Sequence, residues 1–253
     1  MIVSKDNPAI KELKRLLEKP KRGDNTIVLE GIHLAQAYFA TGSAAQRIWV
    51  AQSALDNIKI QTLINGKTYD VMSDALFRSL STLVQGNSIL CEIAKPVVQL
   101  SNAAVNAVLL DGVQDAGNLG SILRSAAAAG VREVYLNNAC VNPYAPKVLR
   151  AAVGAHFSIN IVDGVDLTEI IKTLKTPVFA TDLNATNSIY QTDLSQPCAW
   201  LMGSEGAGVS AELLQAASQT VIIPMQSGES LNVAAATAVC LFEMARQQSN
   251  EFN

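Results

Sequence analysis

Apolar residues along the first 95 positions recur in short runs whose spacing alternates between helical and extended periods. Residues 9–18 place Ile10, Leu13 and Leu16 at helical spacing, and Pro8 suits the first turn of a helix. The predicted strands are 26–29, 47–51, 69–72 and 88–93, and the predicted helices are 9–18, 31–40, a stretch after residue 51, and 74–80. This alternation predicts a small α/β unit.

The alternation restarts after residue 106 with more strongly apolar runs. Residues 107–110 are all apolar, which is typical of a strand that is covered on both faces. The predicted strands are 107–110, 134–136, 158–162, 178–180, 199–202 and 221–223, and the predicted helices are 121–129, 145–153, 167–173, 209–217 and 232–246. The pattern predicts a mostly parallel sheet with helices on both faces.

A break in this pattern divides the chain. Pro96 cannot continue a helix or an inner strand, and Ser101 and Asn102 favour a loop, so the boundary is expected between residues 95 and 106. We therefore expect two domains, residues 1–98 and residues 106–253.

Composition narrows the class of protein. Hydrophobic residues make up 49% of the chain and charged residues 16%, which favours a folded globule. The apolar runs are far shorter than the roughly 20 residues of a membrane span, and the first twenty residues lack the apolar stretch of a secretion signal. We expect a cytoplasmic protein with no membrane partner. The four cysteines and two histidines show no metal-ligand spacing, which predicts no metal site and cysteines packed as small hydrophobic residues.

Charge is distributed unevenly. Residues 1–22 hold seven basic and three acidic residues, which gives them a net charge of +4. Since the whole chain has a net charge of −3, the remaining residues carry −7. A basic segment on an acidic body suits contact with RNA. A solvated amphipathic helix with mixed charges explains the same numbers, and from charge alone it is the simpler interpretation.

Candidate chemistry lies in three loops that follow predicted strands, where ligands bind in open α/β sheets. In the first loop, after residue 110, Gly117 and Gly120 permit a tight turn and Asn118 offers amide donors and an acceptor. Arg124 is expected about one turn into the following helix, where it can meet a phosphate or a developing oxyanion. An arginine paired with a surface carboxylate is an equally good interpretation.

The other two loops are ambiguous when each is taken alone. The second, residues 201–208, has three glycines in six residues but matches neither the dinucleotide pattern nor the nucleoside triphosphate pattern. Such a segment is often only a turn. The third, residues 223–232, enters the terminal helix, and Ser230 and Asn232 suit a helix cap.

Together the three loops resemble the signature motifs of the SpoU family within the SPOUT methyltransferases. The first resembles N-x-G-x-x-x-R through Asn118, Gly120 and Arg124. The second resembles G-x-E-G-x-G through Gly203, Glu205, Gly206 and Gly208, and the third resembles I-P-M followed by S-L-N through Ile223, Pro224, Met225, Ser230, Leu231 and Asn232. Residues 150–157, 7–11 and 29–31 also resemble segments of this family.

The resemblance implies a parallel sheet with a deep C-terminal trefoil knot, preceded by a small α/β RNA-binding domain. It also implies a homodimer that uses S-adenosylmethionine to methylate a ribose 2′-hydroxyl in RNA. Ribosomal RNA is the expected substrate, because the short transfer-RNA members of the family lack an N-terminal domain. The residues expected to line the cofactor pocket are Gly203, Ile223, Met225 and Leu231.

The catalytic residues implied by the resemblance are Arg124, Asn118, Glu205, Ser230 and Asn232. An arginine at this position is often proposed as the base, but a guanidinium keeps its proton to above about pH 12. Binding the adjacent phosphate and stabilising the developing alkoxide is the easier role. The alternatives are a transfer-RNA ribose methyltransferase and a non-catalytic RNA-binding protein with the same fold. A nicotinamide-dependent enzyme would need a fingerprint that the chain lacks.

Overall fold

The computed structural model describes residues 1–81, 88–227 and 230–249. The chain forms two compact units, the first made of Met1–Pro96 with Tyr144–Phe157, and the second of Val97–Pro143 with Ser158–Asn253. The sequence pattern gave no sign that residues 144–157 return to the first unit, since it placed the helix at 145–153 in the second domain.

The first unit contains a four-stranded mixed sheet with strand order β1-β4-β2-β3. Strand β4 is antiparallel to both β1 and β2, and β2 is parallel to β3. The elements are α1 (Pro8–Glu18), β1 (Thr26–Glu30), α2 (Ile32–Phe39), β2 (Arg47–Ala51), a 3-10 helix (Gln52–Asp56), α3 (Ile58–Ile64), β3 (Asp70–Met72), α4 (Asp74–Leu80) and β4 (Ile89–Ala94). The predicted α/β alternation is thus confirmed.

Helix α1 is an integral part of this unit. Asn7 caps it by accepting a hydrogen bond from the backbone of Ala9 at 2.9 Å, and the apolar face buries Ile10, Leu13 and Leu16. On the outer face, the Arg15 guanidinium contacts two carboxylates, those of Glu12 and Asp24, at 2.6 and 3.0 Å. Exposed pairs join Lys11 to Asp6 and Lys14 to Glu18. The basic segment is therefore a packed amphipathic helix with a mixed-charge face.

The second unit is built on a six-stranded, wholly parallel sheet with strand order β10-β8-β9-β5-β6-β7. Its central strand β5 has the four buried apolar residues that the sequence indicated. The elements from residue 107 onward are β5 (Ala107–Asp111), α5 (Ala116–Ala128), β6 (Glu133–Leu136), α6 (Pro146–Ala152, in the first unit), a 3-10 helix (Ala155–Phe157), β7 (Asn160–Asp163), α7 (Leu167–Thr173), β8 (Val178–Thr181), a 3-10 helix (Ile189–Gln191), β9 (Ala199–Gly203), α8 (Ala211–Ala216), β10 (Gln219–Val221) and α9 (Val233–Gln248).

Helices cover both faces of this sheet, as the sequence predicted. On one face, Leu167 of α7 and Leu213 of α8 pack in a cluster with alternate residues of β5, β8 and β9. On the other, α5 and α9 contact each other and α9 contacts β9. This second layer brings the amino ends of α5 and α9 to the functional site described below.

A buried ion pair explains why residues 144–157 belong to the first unit. Arg150 of α6 donates to the Glu30 carboxylate at 2.5 Å, and the Ser81 hydroxyl donates to the other oxygen of Glu30 at 2.7 Å. The Glu30 side chain is only 2% exposed, so its charge requires these partners. Tyr144 and Leu149 extend the core of the first unit.

The cysteines behave as predicted. Cys91, Cys140, Cys198 and Cys240 are all buried, and burial raises the pKa of both Cys91 and Cys198 to about 12. Within the described residues, no group of histidine, cysteine or acidic side chains is arranged to hold a metal ion. None of the helices in the described residues is long and apolar enough to cross a membrane.

Candidate active site

Asn118 joins the three candidate loops at the carboxyl ends of the parallel strands. It lies in the first turn of α5, and its side-chain amide donates to the Glu205 carboxylate in the loop after β9. Its carbonyl oxygen accepts from the Asn232 amide at 3.1 Å. One residue from each of the three motifs therefore meets in a single hydrogen-bonded group, which we call the Asn118 cluster.

Helix caps fix two members of the Asn118 cluster. Asp115 caps α5 by accepting from the Asn118 backbone at 2.8 Å, so α5 begins at Ala116 and not at residue 121, where the sequence pattern placed it. Asn232 caps α9 by accepting from the backbone of Ala234 at 3.0 Å and from that of Ala235 at 3.3 Å. Because its oxygen is held this way, its amide is left to reach Asn118. Capping and site formation are thus two uses of one asparagine.

The loop after β9 folds back on itself so closely that Gly203 cannot carry a side chain. A Cβ at Gly203 would lie 1.9 Å from the carbonyl carbon of Gly208. The Gly208 backbone donates to the Ser204 carbonyl at 2.9 Å, and Gly208 has a φ of +67°, a conformation that favours glycine. The glycines of this motif therefore shape the wall of the site and are more than an ordinary turn.

Asp111, which the sequence analysis did not select, connects the loops behind the site. Its carboxylate accepts from the Asn137 amide at 2.6 Å and from the Ser210 backbone at 2.9 Å. These hydrogen bonds tie the end of β5 to the loops that follow β6 and β9. An acidic residue directly after an all-apolar central strand is the signal that could have identified it.

A cavity of about 400 Å³ opens beside the Asn118 cluster, within the second unit. All four residues expected at the cofactor pocket, Gly203, Ile223, Met225 and Leu231, line it, together with the predicted catalytic residues Glu205 and Ser230. Residues 228 and 229 of the third loop lie outside the described residues. The wall also includes residues 181–184 at the end of β8, which the sequence analysis missed although the polar pair Thr181 and Asp182 ends an apolar run there.

The cavity suits S-adenosylmethionine. Its volume falls within the usual range of small-molecule sites, and its wall combines apolar side chains with the backbone of a glycine-rich loop. Among the apolar residues are Val209, Val221 and Val233, which can cover an adenine ring. The Gly203 backbone is open to a ligand because no side chain can occupy that position.

Arg124 stands apart from the Asn118 cluster. It is exposed on α5, more than two turns from the start of the helix because α5 begins earlier than predicted. Six residues separate it from Asn118, about 9 Å along the helix axis. Within the described part of the chain, no carboxylate forms an ion pair with it. The guanidinium is thus exposed at the surface, available to a ligand from outside its own chain.

Comparison with protein families identifies the chain. The model of the SpoU rRNA Methylase family matches residues 106–242, more than half of the sequence. The chain belongs to this family. The resemblance inferred from the three motifs is confirmed.

Relatives of the SpoU family match nearly the whole chain and not only its second unit. A Synechocystis protein named an uncharacterised tRNA/rRNA methyltransferase is 32% identical, over 98% of this chain and 94% of its own. The Bacillus subtilis 23S rRNA (guanosine(2553)-2′-O)-methyltransferase is 31% identical, over 96% of this chain and 98% of its own.

A solved structure shows the same fold. The AdoMet-bound rRNA methyltransferase from Sinorhizobium meliloti superposes with a TM-score of 0.80 at 26% identity, and the match covers 97% of both chains. The mixed α/β architecture with a parallel sheet is therefore that of SpoU methyltransferases.

Proposed function

We propose that this protein transfers a methyl group from S-adenosylmethionine to a ribose 2′-hydroxyl of ribosomal RNA. The observation that carries the proposal is the cavity lined by Gly203, Ile223, Met225 and Leu231 next to the Asn118 cluster. The names of the Bacillus and Sinorhizobium relatives support both the substrate class and the cofactor.

Different residues of the chain bind the cofactor, hold the ribose and stabilise the developing charge. The cavity residues bind the cofactor, which supplies an electrophilic methyl carbon when bound, and the loop from Gly203 to Gly208 excludes water from one side of it. The Asn118 cluster and Ser230 of the cavity wall hold the ribose, since these side chains offer both donors and acceptors beside the cavity. The residues involved are Asn118, Glu205, Ser230 and Asn232. Arg124 binds the neighbouring phosphate and stabilises the negative charge that develops at the 2′-oxygen as the hydroxyl proton passes to solvent and the C–O bond forms.

The two regions of the chain have different roles in this proposal. Residues 1–98 bind RNA and residues 106–253 carry the methyl transfer, with α6 contributing to the first unit. The exposed lysines of residues 1–22 support RNA contact, because this segment keeps a net charge of +4 and the ion pairs of Lys11 and Lys14 are both exposed to solvent. A trefoil knot around the third loop is part of the proposal, and the loop's position on the cavity wall between β10 and α9 is compatible with it.

The proposed assembly is a cytoplasmic homodimer. Phe242 of α9 is 51% exposed, and Arg124 of α5 is exposed with no ion pair in the described part of its own chain. Because α5 and α9 pack side by side, a second subunit could cover the apolar surface and complete the surroundings of the arginine. Light scattering of the purified protein tests this part of the proposal directly.

Methyl transfer from labelled S-adenosylmethionine to purified RNA tests the function. We expect label to enter ribosomal RNA and not transfer RNA. Label in transfer RNA alone would favour the second candidate substrate, which the name of the Synechocystis relative also allows. Cofactor binding without transfer to any RNA would favour a non-catalytic protein.

A further inference from the structure

We infer that Asp182 makes the cavity prefer the positively charged methyl donor over its neutral thioether product. This inference rests on the proposed function and adds a specificity-determining residue outside the three motifs. Asp182 and Glu205 are the charged side chains among the described residues that line the cavity, and the described wall has no basic residue. The site therefore carries a net negative charge where the ligand binds.

The fold holds Asp182 in place at the cavity wall. It follows β8 directly, and its backbone N–H donates to the carbonyl of Val221 in β10 at 3.0 Å. Its Oδ1 accepts from the backbone and the side-chain amide of Asn184, at 3.0 and 3.3 Å. No donor in the described part of the chain reaches the other oxygen, so half of this anchored carboxylate is available to a ligand.

The chemistry of the two ligands points to charge as the basis of selection. S-Adenosylmethionine and S-adenosylhomocysteine share the adenine, the ribose and the amino-acid end, and they differ in the methyl group and in the sulfonium charge that it creates. A fixed carboxylate in a partly enclosed cavity attracts that charge more strongly than a carboxylate surrounded by water does. The Glu205 carboxylate already accepts from Asn118, which leaves Asp182 as the more available negative group.

Calorimetric binding of both ligands to the full chain tests the inference. For Asp182→Asn, we expect the Kd of S-adenosylmethionine to rise about three- to tenfold, as expected for the loss of one screened charge interaction, and that of S-adenosylhomocysteine to change less than about twofold. Sinefungin, which has an amine in place of the sulfonium, should follow the donor. Glu212→Gln is the matched control, since it also removes one carboxylate charge from the second unit, but from the exposed surface of α8 outside the cavity wall, and it should keep the ratio of the two Kd values.

Two results would overturn the inference. Equal weakening of both ligands would mean that Asp182 contacts a group they share, and unchanged binding of both would mean that it contacts neither. If Asp182→Asn does not fold, Asp182→Ser takes its place in the same comparison. In the wild type, added salt should lower the preference for the donor, and a preference unaffected by salt would contradict a charge effect. Failure of the wild-type protein to bind either ligand would instead overturn the proposed function.

Discussion

The side-chain amide of Asn232 donates to the carbonyl oxygen of Asn118 at 3.1 Å, joining residues that are 114 positions apart. Asn118 in turn donates to Glu205, so a single side chain couples the helix after β5, the loop after β9 and the cap of α9. The site depends on this connection, because each loop would otherwise be held only by its own strand and helix.

Replacing Asn118 tests the role of the cluster. Asn118→Ala removes both a donor to a carboxylate and an acceptor, and we expect kcat to fall about 10- to 100-fold, as for the loss of a hydrogen bond to a charged group. Cofactor affinity should change little, since Asn118 is not among the residues lining the cavity. Ser121→Ala, on the exposed face of the same helix, serves as the control in steady-state kinetics with ribosomal RNA. A normal kcat for Asn118→Ala would show that the cluster is only structural.

Gly203 provides a test of the cavity wall. Gly203→Ala places a Cβ within 1.9 Å of the Gly208 backbone, which must move, so we expect cofactor affinity to fall at least about tenfold. Gly206→Ala is a matched control in the same loop, because its Cβ would meet nothing within 4 Å. Fluorescence or calorimetric titration of both variants measures the effect. Equal affinities for the two variants would contradict the close approach seen at Gly203.

The raised pKa of Glu92 predicts that this carboxyl lowers the stability of the protein at neutral pH and not at low pH. Burial raises the pKa of this carboxyl, although the hydrogen bond from the Trp49 indole at 2.6 Å opposes the shift. Since the folded pKa lies above the unfolded one, the ionised group at neutral pH weighs against folding, and this cost disappears as the pH falls below the folded pKa. Glu92→Gln keeps the acceptor for Trp49, so it should be more stable than the wild type at pH 7.

Denaturant unfolding at several pH values measures the effect of Glu92→Gln. The gain in unfolding free energy should narrow as the pH is lowered through the folded pKa of Glu92. A gain that does not vary with pH would show that packing and not ionisation is responsible. A variant less stable than the wild type at pH 7 would mean that the carboxylate is compensated by neighbours such as Arg47.

The exposed lysines of the first unit predict salt-dependent RNA binding. Neutralising Lys14, Lys19 and Lys21 to glutamine should weaken binding and reduce the slope of log affinity against log salt, by about 0.7 to 0.9 for each RNA phosphate that the variant no longer neutralises. Arg15 is left intact because it holds Glu12 and Asp24 in place. The control is Lys172→Gln, on a surface helix of the second unit. An unchanged slope in the triple variant would show that α1 is merely a solvated helix.

The sequence was most informative where a local pattern determines structure. Strand β5 was recognisable because four consecutive apolar residues suit a strand covered on both faces. The start of α5 was placed five residues late, since Gly117 and Gly120 were taken for a turn although Asp115 is a good capping residue. In both cases the decisive signals lie within a few residues of the element.

Long-range relationships account for what the sequence did not reveal. The pairing of Arg150 with Glu30 joins positions 120 apart, and periodicity carries no information about such partners. The motif residues of the site were found through the family resemblance, and most of them line the cavity. Asp111 is the last residue of β5 and Asp182 follows β8. Both were overlooked because the importance of a polar residue at the end of a strand depends on which loops lie beside it in the folded sheet.

The central claim is that the chain methylates a ribose 2′-oxygen in ribosomal RNA, and identifying the methylated nucleoside tests it most directly. Ribosomal RNA modified with labelled S-adenosylmethionine is digested to nucleosides, and the labelled product is identified by mass spectrometry. Arg124→Ala should bind the cofactor normally but transfer about 100-fold less label, since it removes a group that stabilises developing charge. The wild-type protein should place the label on one nucleotide, as a 2′-O-methyl group. Label on a base, or no label despite normal cofactor binding, would contradict the account.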